Sequence, residues 1–542
     1  MRKNGILIEA YALLCVICIT ATGAWATPPD WFPGDERAIP HHLRPGDEHR
    51  LGTAGLIAAG QRLFTARWTS QDGQGRPFAK GNGKPLTDPQ SPLVFPRNFN
   101  RLSGPDTGAC GMCHNTPLIG GGGDFAFNVF VGGERFDFIT FDPDDTAPLR
   151  GTIDETGRPS TLQRAANPRK VVGMFGSGFV EMLARQMTAE LQRAARQCGL
   201  GRTCDLSAKG VSFGKLRHKA DGGWDTQDVV GLPAASLETQ GTAPPSLVLR
   251  PLHQSGSVVS LRQFANEAFN QHHGMQSAEM FPGDPDGDGV ADELSEADIT
   301  AVSVFMATLP VPGRVVPKQP LVRNAIAKGE RLFEDVGCSG CHIPALPLVQ
   351  DGWRFSEPNP YNPGGSLQAG SGGPVVEIDL TSSKLPPPRL AARRGVVLVP
   401  AYTDLKLHDI TTGKPSCAIH PELIASHACD GDVEPLDLGA GPPGLNQGNG
   451  RFLTRKLWGV ANQHAFGHHG QYTTLREAVQ AHFGEAGAQR EAFLALSGPD
   501  QDAVIEFLKS LQILEPGTPC QVVDENYACT NYQPRYLLGG TL

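Results

Sequence analysis

Two five-residue stretches decide how this chain folds: Cys110–His114, which reads CGMCH, and Cys338–His342, which reads CSGCH. In each stretch, the two thiols can form thioether bonds with the vinyl groups of one haem, and the histidine that follows can bind its iron. A single Cys-x-x-Cys pair can also be half of a zinc site or a redox dithiol. Two complete copies, each followed directly by histidine, favour two covalent c-type haems. The residues that this assigns to haem are Cys110, Cys113, His114, Cys338, Cys341 and His342.

The N-terminus predicts an exported protein. Residues 1–26 combine Arg2 and Lys3 with an apolar run at 11–19 and the small-x-small sequence AWA at 24–26. This order of features is typical of a secretory signal peptide, so the mature chain is expected in the periplasm or outside the cell. An uncleaved membrane anchor is the alternative. No later stretch reaches the ~18 apolar residues of a membrane helix, so no transmembrane segment is expected in the mature chain.

Charge limits the partners. The 542 residues carry a formal net charge of −9, and no basic run interrupts the acidic balance. This argues against nucleic acid as a partner and favours a small, basic redox protein that donates or accepts electrons.

The twelve cysteines divide into groups with different expected roles. Cys15 and Cys18 lie in the signal peptide, and four more belong to the haem motifs. The remaining cysteines form close pairs, and in an oxidising compartment short loop closure favours disulfides within each pair, although other pairings are possible. The expected pairs are Cys198 with Cys204, Cys417 with Cys429, and Cys520 with Cys529.

Helical periodicity reveals an internal repeat. The sequence GQRLF at 60–64 precedes the first haem motif, and GERLF at 329–333 precedes the second. The amphipathic stretch 296–309 likewise has a counterpart at 500–514, so the chain contains two degenerate copies of helix, haem motif, intervening segment and helix. Further helices are expected at about 56–68, 174–197 and 261–272, whereas 205–260 is expected to be rich in strands and loops.

The repeat and a proline-rich boundary near 310–320 define the predicted domains. The fold class expected is mainly α, with two cytochrome c-like haem domains and a loop- and strand-rich insertion in the first. The segments are a signal peptide at 1–26, an extended arm at 27–50, an N-terminal haem domain at 51–312, a C-terminal haem domain at 318–514, and a tail at 515–542.

An acidic loop in the first half has the spacing of a calcium site. Residues 284–289 read DPDGDG and place carboxylates at alternate positions around a glycine turn. Calcium is a hard ion that takes six to eight oxygen ligands. Ser295 stands where an EF-hand would have its twelfth-position acid, so this is not a full EF-hand loop, and a solvated Asp/Gly turn is the alternative. The predicted ligands are Asp284, Asp286, Asp288 and Asp292.

Taken together, these motifs resemble the bacterial di-haem cytochrome c peroxidase superfamily. The resemblance rests on the paired Gly-x-x-Leu-Phe helices, the two Cys-x-x-Cys-His motifs and the closing helices, and it covers about residues 50 to 514. The chain looks most like the branch of putative peroxidases called di-haem oxidoreductases. That closer likeness is carried by DPDGDG at 284–289, YTDLKLHD at 402–409, LWG at 457–459 and TLREAV at 474–479.

The resemblance implies a division of labour between the haems. The N-terminal haem would have an open or displaceable distal position and meet the oxidant, and the C-terminal haem would carry a second protein ligand and relay electrons. In the peroxidases that ligand is a methionine fourteen residues beyond the first histidine of a His-x-Gly turn. Here the turn is His468–Gly470 and the position is His482, so the resemblance implies a C-terminal iron held by His342 and His482. The alternative is that His482 is an ordinary polar residue of a helix.

The distal side of the first haem is less defined. The resembling peroxidases have a distal histidine soon after the first motif, but the next histidine here is His218. His408 stands out as a catalytic candidate because Asp409 beside it could orient the imidazole. An aromatic pocket would instead favour dioxygen, as in the rubber-cleaving di-haem oxygenases that the superfamily also resembles. That pocket would use Phe125, Phe127 or Phe130. The candidates to approach either haem are His272, His273, His408 and Met275, and an ordinary surface or core role is the alternative for each.

Three functions follow from these expectations. The leading hypothesis is a peroxidase-like oxidoreductase in which peroxide meets the His114 haem and the His342 haem relays electrons. The second is oxidation of an organic substrate by dioxygen at the same haem, and the third is a non-catalytic di-haem electron carrier.

Overall fold

Two crossed helix pairs, one in each half of the chain, form the framework of this computed structural model. In the first half, the leading helix Gly52–Thr65 packs against the closing helix Glu296–Ala307. In the second half, the leading helix Pro320–Asp335 packs against the closing helix Gly498–Ser510. The repeat seen in the sequence is thus a repeat of helix packing. The structure describes residues 33–75, 107–123, 126–127, 148–153, 159–161, 169–254, 256–284, 288–370, 376–411, 413, 451–467, 470 and 472–537.

Glycine permits the close crossing in both pairs. Gly60 lies against the backbone carbonyl of Ala301, and Gly329 lies against that of Ala503. A Cβ atom at either glycine would overlap the carbonyl oxygen that it faces. The glycines in the two Gly-x-x-Leu-Phe sequences are therefore contact residues, because no larger residue fits between the backbones.

Phenylalanine pairs fill the space beside each crossing. The ring centroids of Phe64 and Phe305 are 5.2 Å apart, and those of Phe333 and Phe507 are 5.3 Å apart. Both separations lie in the range of favourable tilted aromatic pairs. The two halves therefore share the same local packing around their helix crossings.

Local sequence signals explain where these helices begin. Ser295 caps the first closing helix in a capping box with Asp298, and Pro320 occupies the first turn of the second leading helix. No helix in the described ranges is long and apolar enough to cross a membrane. The remaining α-helices of the described residues are Asp47–Arg50, Cys110–Cys113, Ser177–Gln197, Leu261–Ala268, Leu475–Gln480 and Gly487–Leu494, and a π-helical turn spans Phe269–His273.

The expectation of a mainly α fold is wrong. The described residues contain sixteen strands in seven small sheets beside ten α-helices, and strands occur in both halves rather than in one insertion. Most strands are two to four residues long and pair with distant segments, so they leave no alternating pattern to detect. The strands are Ala126–Phe127, Pro148–Ile153, Pro159–Thr161, Arg169–Lys170, Thr203–Ala208, Val211–His218, Trp224–Asp225, Gly313–Val315, Leu346–Val349, Arg354–Glu357, Val376–Asp379, Val396–Val399, Leu407–Asp409, Arg451–Leu453, Leu511–Gln512 and Val522–Val523.

Two three-stranded sheets are the largest. Strands Thr203–Ala208, Val211–His218 and Trp224–Asp225 form an antiparallel sheet inside the stretch expected to be rich in strands. In the other, Gly313–Val315 lies between Leu511–Gln512, which runs antiparallel to it, and Val522–Val523, which runs parallel. The last of these strands belongs to the residues predicted as a tail, so this segment is part of the folded second half.

The larger hydrophobic core extends across both halves. It contains Leu183 of the long helix Ser177–Gln197 and also Leu348 and Phe355 of the second half, all of them buried. A smaller core surrounds the second helix crossing. Hydrogen bonds also join the two halves beside this core. Arg185 donates to Ser356, and Gln186 donates to the carbonyl of Val349 at 2.6 Å.

Two of the expected disulfides are confirmed. Cys198 is bonded to Cys204, and Cys520 is bonded to Cys529. The expected pair of Cys417 and Cys429 lies outside the described residues. Both confirmed bonds close short surface segments, which is a structural role.

Candidate functional site

The motif histidines His114 and His342 have matching surroundings. His114 Nδ1 lies 3.2 Å from the carbonyl oxygen of Gly121, and His342 Nδ1 lies 3.1 Å from that of Tyr402. A carbonyl only accepts hydrogen bonds, so Nδ1 carries the proton and donates it in both cases. Nε2 is then the nitrogen with a lone pair for a metal, which is the usual arrangement of a metal-binding histidine.

The leading-helix phenylalanines hold these imidazoles in the same orientation. The ring centroids of Phe64 and His114 are 6.1 Å apart with an interplanar angle of 52°, and those of Phe333 and His342 are 6.3 Å apart with an angle of 53°. Each leading helix thus fixes the histidine of its own motif. The two halves therefore share the orientation of their candidate iron ligands as well as their helix packing.

Burial keeps both imidazoles neutral. It is the largest cause that lowers the pKa of His114 to about 4, and it also lowers the pKa of His342 to about 4. A neutral imidazole is the form that binds a metal ion. At neutral pH, both histidines are therefore already in the ligating state.

The motif cysteines lie on single turns of helix. Cys110 and Cys113 begin and end the turn Cys110–Cys113, and Cys338 starts the 3₁₀ turn Cys338–Gly340. All four motif cysteines are outside any disulfide. Burial raises the pKa of Cys110 to about 12 and that of Cys338 to about 11, so these two are protonated thiols rather than thiolates at neutral pH.

A cavity of about 380 Å³ opens beside the second motif, where the two halves meet. Its wall includes Cys338, Cys341 and His342 from the motif. Met174 and Phe264 of the first half line it as well. A mostly apolar cavity with an imidazole and two thiols on its wall fits a covalently attached haem.

His482 lines the same cavity as His342. It follows the short helix Leu475–Gln480, which Thr474 and Glu477 cap at its N-terminus, and its Nδ1 lies 2.8 Å from the carbonyl oxygen of Ala478. After burial, the nearby His482 is the next largest cause of the low pKa of His342. The two residues expected to hold one iron are therefore close together, and ligation by His482 stays a prediction.

His408 has partners other than the one expected. Its Nε2 lies 2.8 Å from Asp404 Oδ2, and its Nδ1 lies 2.7 Å from Glu485 Oε2. Asp409, the residue expected to orient it, instead accepts from the backbone of Thr411. Burial alone would lower the pKa of His408, but the hydrogen bonds with Asp404, Cys341 and Glu485 raise it to about 10. His408 is therefore an imidazolium beside the second motif.

Cys341 completes a cluster with these residues. One atom each of Cys341, Asp404 and His408 lies within 4.8 Å of the others, a spacing that could hold a metal ion. The same cysteine belongs to the second haem motif, and a thioether sulfur would leave the cluster without its thiolate. Cys341 can therefore serve either the metal cluster or the haem, but not both. The matched geometry of His114 and His342 favours haem.

His273 lies beside the first motif. Its Nε2 is 3.3 Å from Cys110 Sγ and its Nδ1 is 2.8 Å from the carbonyl oxygen of Thr107. Met275 and His272 belong to the same segment, with Met275 fully buried and His272 partly buried. After burial, His272 is also among the causes that lower the pKa of His114, so the π-helical turn at Phe269–His273 lies beside the first motif.

The aromatic and acidic candidates are only partly described. Phe127 lies in the strand Ala126–Phe127, which pairs with Arg169–Lys170, while Phe125 and Phe130 are outside the described residues. In the acidic loop, Asp284 accepts from the backbone amides of Asp288 and Gly289, and Asp292 accepts from that of Gly283. Asp286 is outside the described residues. The carboxylates of the loop are thus oriented by its backbone, and calcium stays a prediction.

Sequence reasoning missed Arg455 and Lys456. Both line the cavity between the halves, and burial lowers the pKa of each. The signal was available, because two adjacent cations stand between Phe452 and Trp458 in an otherwise apolar stretch. Glu485 was missed as well, since nothing in the local sequence links it to His408.

Comparison with known proteins identifies no family for this chain. No family model matches the chain, and no curated protein matches it. Among solved structures, hydrazine synthase of Kuenenia stuttgartiensis, determined under xenon pressure, is similar at 14% identity and a TM-score of 0.27. The similarity covers 56% of this chain and 78% of that one. A TM-score this low does not establish a shared fold, so the function is argued from the geometry of this chain.

Proposed function

We propose that this protein is an exported di-haem c-type oxidoreductase, with one haem at Cys110–His114 and the other at Cys338–His342. The observation that carries the proposal is the duplicated histidine geometry. His114 and His342 each direct Nδ1 to a backbone carbonyl, each lie about 6 Å from a leading-helix phenylalanine, and are neutral. A zinc site or a dithiol would not require this repetition.

The residues around the second motif suit a relay. His342 and His482 line one cavity, and a haem iron held by both of them would be closed to exogenous ligands. Bis-histidine ligation also gives a lower reduction potential than histidine and methionine. We therefore assign electron transfer to the second site and the reaction to the first.

The first site suits a peroxidase-like reaction. A c-type haem at this site would supply one-electron chemistry and could bind peroxide or dioxygen. His114 would hold the group, and two histidines near it could accept or return a proton: His273 beside Cys110, and His272, whose charge is among the causes, after burial, that lower the pKa of His114. Oxidation of an organic substrate by dioxygen would use the same free ligand position on the iron. A pure electron carrier would bind neither peroxide nor dioxygen.

The compartment and the partners follow from the same features. The disulfides Cys198–Cys204 and Cys520–Cys529 suit a periplasmic or secreted protein. The net charge of −9 suits a small, basic redox protein as electron donor or acceptor.

Optical spectra of the purified, exported protein test this proposal. Denatured protein in alkaline pyridine should give two c-type haems per chain. Native ferric and ferrous spectra, recorded with and without cyanide or carbon monoxide, should show one haem that binds an added ligand and one that does not. Two low-spin haems that bind neither ligand would leave only the electron carrier, and a chain without haem would refute the proposal. Turnover with peroxide and a reduced cytochrome, compared with oxygen uptake on organic substrates, then separates the two enzymes.

A further inference from the structure

Arg455 lies between the two haem motifs. It follows the strand Arg451–Leu453, lines the cavity beside His342, and its backbone lies close to that histidine. Its positive charge also reaches the first motif, because after burial it is among the causes that lower the pKa of His114. Arg455 therefore reaches both motifs, through its backbone at His342 and through its charge at His114.

No carboxylate among the described residues balances this guanidinium. Burial is the sole cause of its lowered pKa of about 10, and burial together with the charge of Arg455 lowers the pKa of its neighbour Lys456. Lys456 donates to the carbonyl of Phe175 at 2.9 Å and to Ser177 Oγ at 3.2 Å, both of which are neutral. The wall of the cavity thus carries, at Arg455, a positive charge that no carboxylate of the described residues pairs with.

The fully buried arginines in the described part of the chain are paired with carboxylates. Arg262 pairs with Glu279 at 2.9 Å and with Glu357 at 3.3 Å, and Arg314 pairs with Glu330 at 2.6 Å. Such pairing is the general rule, because a buried charge without a partner is strongly destabilising. Arg455 is only half-buried, and it has no such partner where it lines the cavity.

We propose that Arg455 binds a carboxylate inside the cavity, and that this carboxylate is a propionate of one of the two haems. The inference rests on the proposed function, since it takes the haem as the source of the anion. A guanidinium can hold a carboxylate through two parallel hydrogen bonds, and a desolvated pair of this kind is strong. A free organic acid bound as substrate has the same chemistry and is the second possible source. In either case Arg455 is a positioning residue for an anionic group between the motifs.

The test uses the exported holoprotein and three variants. Arg455→Gln removes the charge, Arg455→Lys keeps the charge without the planar fork, and Arg67→Gln removes an exposed arginine near the first motif as a control. Each is measured for haem content, for the midpoint potential of both haems by spectroelectrochemistry, and for binding of succinate by calorimetry. Wild-type protein and all variants should contain two haems.

Arg455→Gln should lower the midpoint potential of at least one haem, because an uncompensated propionate favours the ferric state. Arg455→Lys should lower it less, and Arg67→Gln should leave both potentials unchanged because solvent screens its charge. If Arg455→Gln is recovered without haem, the difference in midpoint potential between Arg455→Lys and wild type decides the question alone.

The other outcomes separate the possible sources of the carboxylate. If the potentials are unchanged, and the wild type binds succinate while Arg455→Gln does not, the carboxylate belongs to a free ligand. Unchanged potentials and unchanged succinate binding would overturn the inference while leaving a di-haem protein intact. A wild-type protein without haem would instead overturn the proposed function, and this inference with it.

Discussion

Gly329 lies directly against the backbone carbonyl of Ala503, where the leading and closing helices of the second half cross. Gly329→Ala should therefore destabilise the protein by about 1–3 kcal/mol, because the added methyl group must push two packed helices apart. Denaturant unfolding followed by circular dichroism measures the loss.

Gly498→Ala is the matched control for this substitution. Gly498 starts the same closing helix, but no atom lies within 4 Å of the position of its Cβ. Its replacement should leave stability unchanged or raise it slightly, because alanine favours helix. Equal losses in the two variants would show that the crossing is not as tight as described.

His482→Met should raise the reduction potential of the second haem. The predicted axial pair is His342 with His482, and replacing an imidazole by a thioether raises the potential of a c-type haem. Spectroelectrochemistry of the holoprotein, followed at the bands of the ligand-insensitive haem, measures the change.

His464→Met serves as the control because His464 is exposed in the same region. It should leave both potentials at their wild-type values. If His482→Met behaves like the control, His482 is a polar cavity residue and the second ligand lies elsewhere.

The stability of the protein should contain a pH-dependent part that comes from His408. Its ordinary pKa of 6.5 is raised to about 10 in the fold, where Asp404, Cys341 and Glu485 outweigh the opposing effect of burial. A raised pKa of histidine stabilises the fold fully below pH 6.5, and this contribution is lost as the pH rises through about 10. The difference in unfolding free energy between wild type and His408→Gln should therefore be largest near pH 6 and shrink towards pH 10.

His464→Gln, at an exposed position, should show no such convergence with pH. A constant difference between wild type and His408→Gln over the same range would mean that His408 does not bind its extra proton in the folded state.

The acidic loop should bind calcium through Asp286 and Asp288. Metal analysis after equilibrium dialysis should give about one calcium per wild-type chain and none for the variant Asp286→Ala/Asp288→Ala. Asp221→Asn, at an exposed turn elsewhere, should keep the wild-type value. Unchanged stoichiometry in the double variant would make this loop a solvated turn whose carboxylates only accept from its own backbone.

The helices could be predicted because their signals are local. The repeated sequence GERLF at 329–333 predicts the second leading helix, which spans Pro320–Asp335 with the proline at its start. The strands could not be predicted in the same way. Leu346–Val349 pairs with Val396–Val399, nearly fifty residues later, and four residues are too few to show an alternating pattern. This is why a mainly α fold was expected and a mixed one is observed.

His408 illustrates the same limit at the candidate site. It lies in the strand Leu407–Asp409, where consecutive side chains point to opposite faces, so Asp409 cannot reach the imidazole beside it. The acids that do reach it are Asp404, which precedes the strand, and Glu485, which is 77 residues away. The sequence could supply the motif residues, whose spacing is fixed by covalent chemistry, but not contacts that depend on tertiary packing.

The bonds from Arg185 and Gln186 to the strands of the second half have a kinetic consequence. They join the long helix of the first half to the second half inside a common core, so the halves are not two modules on a tether. The gap across which an electron would tunnel between the His114 and His342 sites is then set by packing rather than by diffusion of one module towards the other. Electron exchange between the two sites should accordingly be insensitive to solvent viscosity.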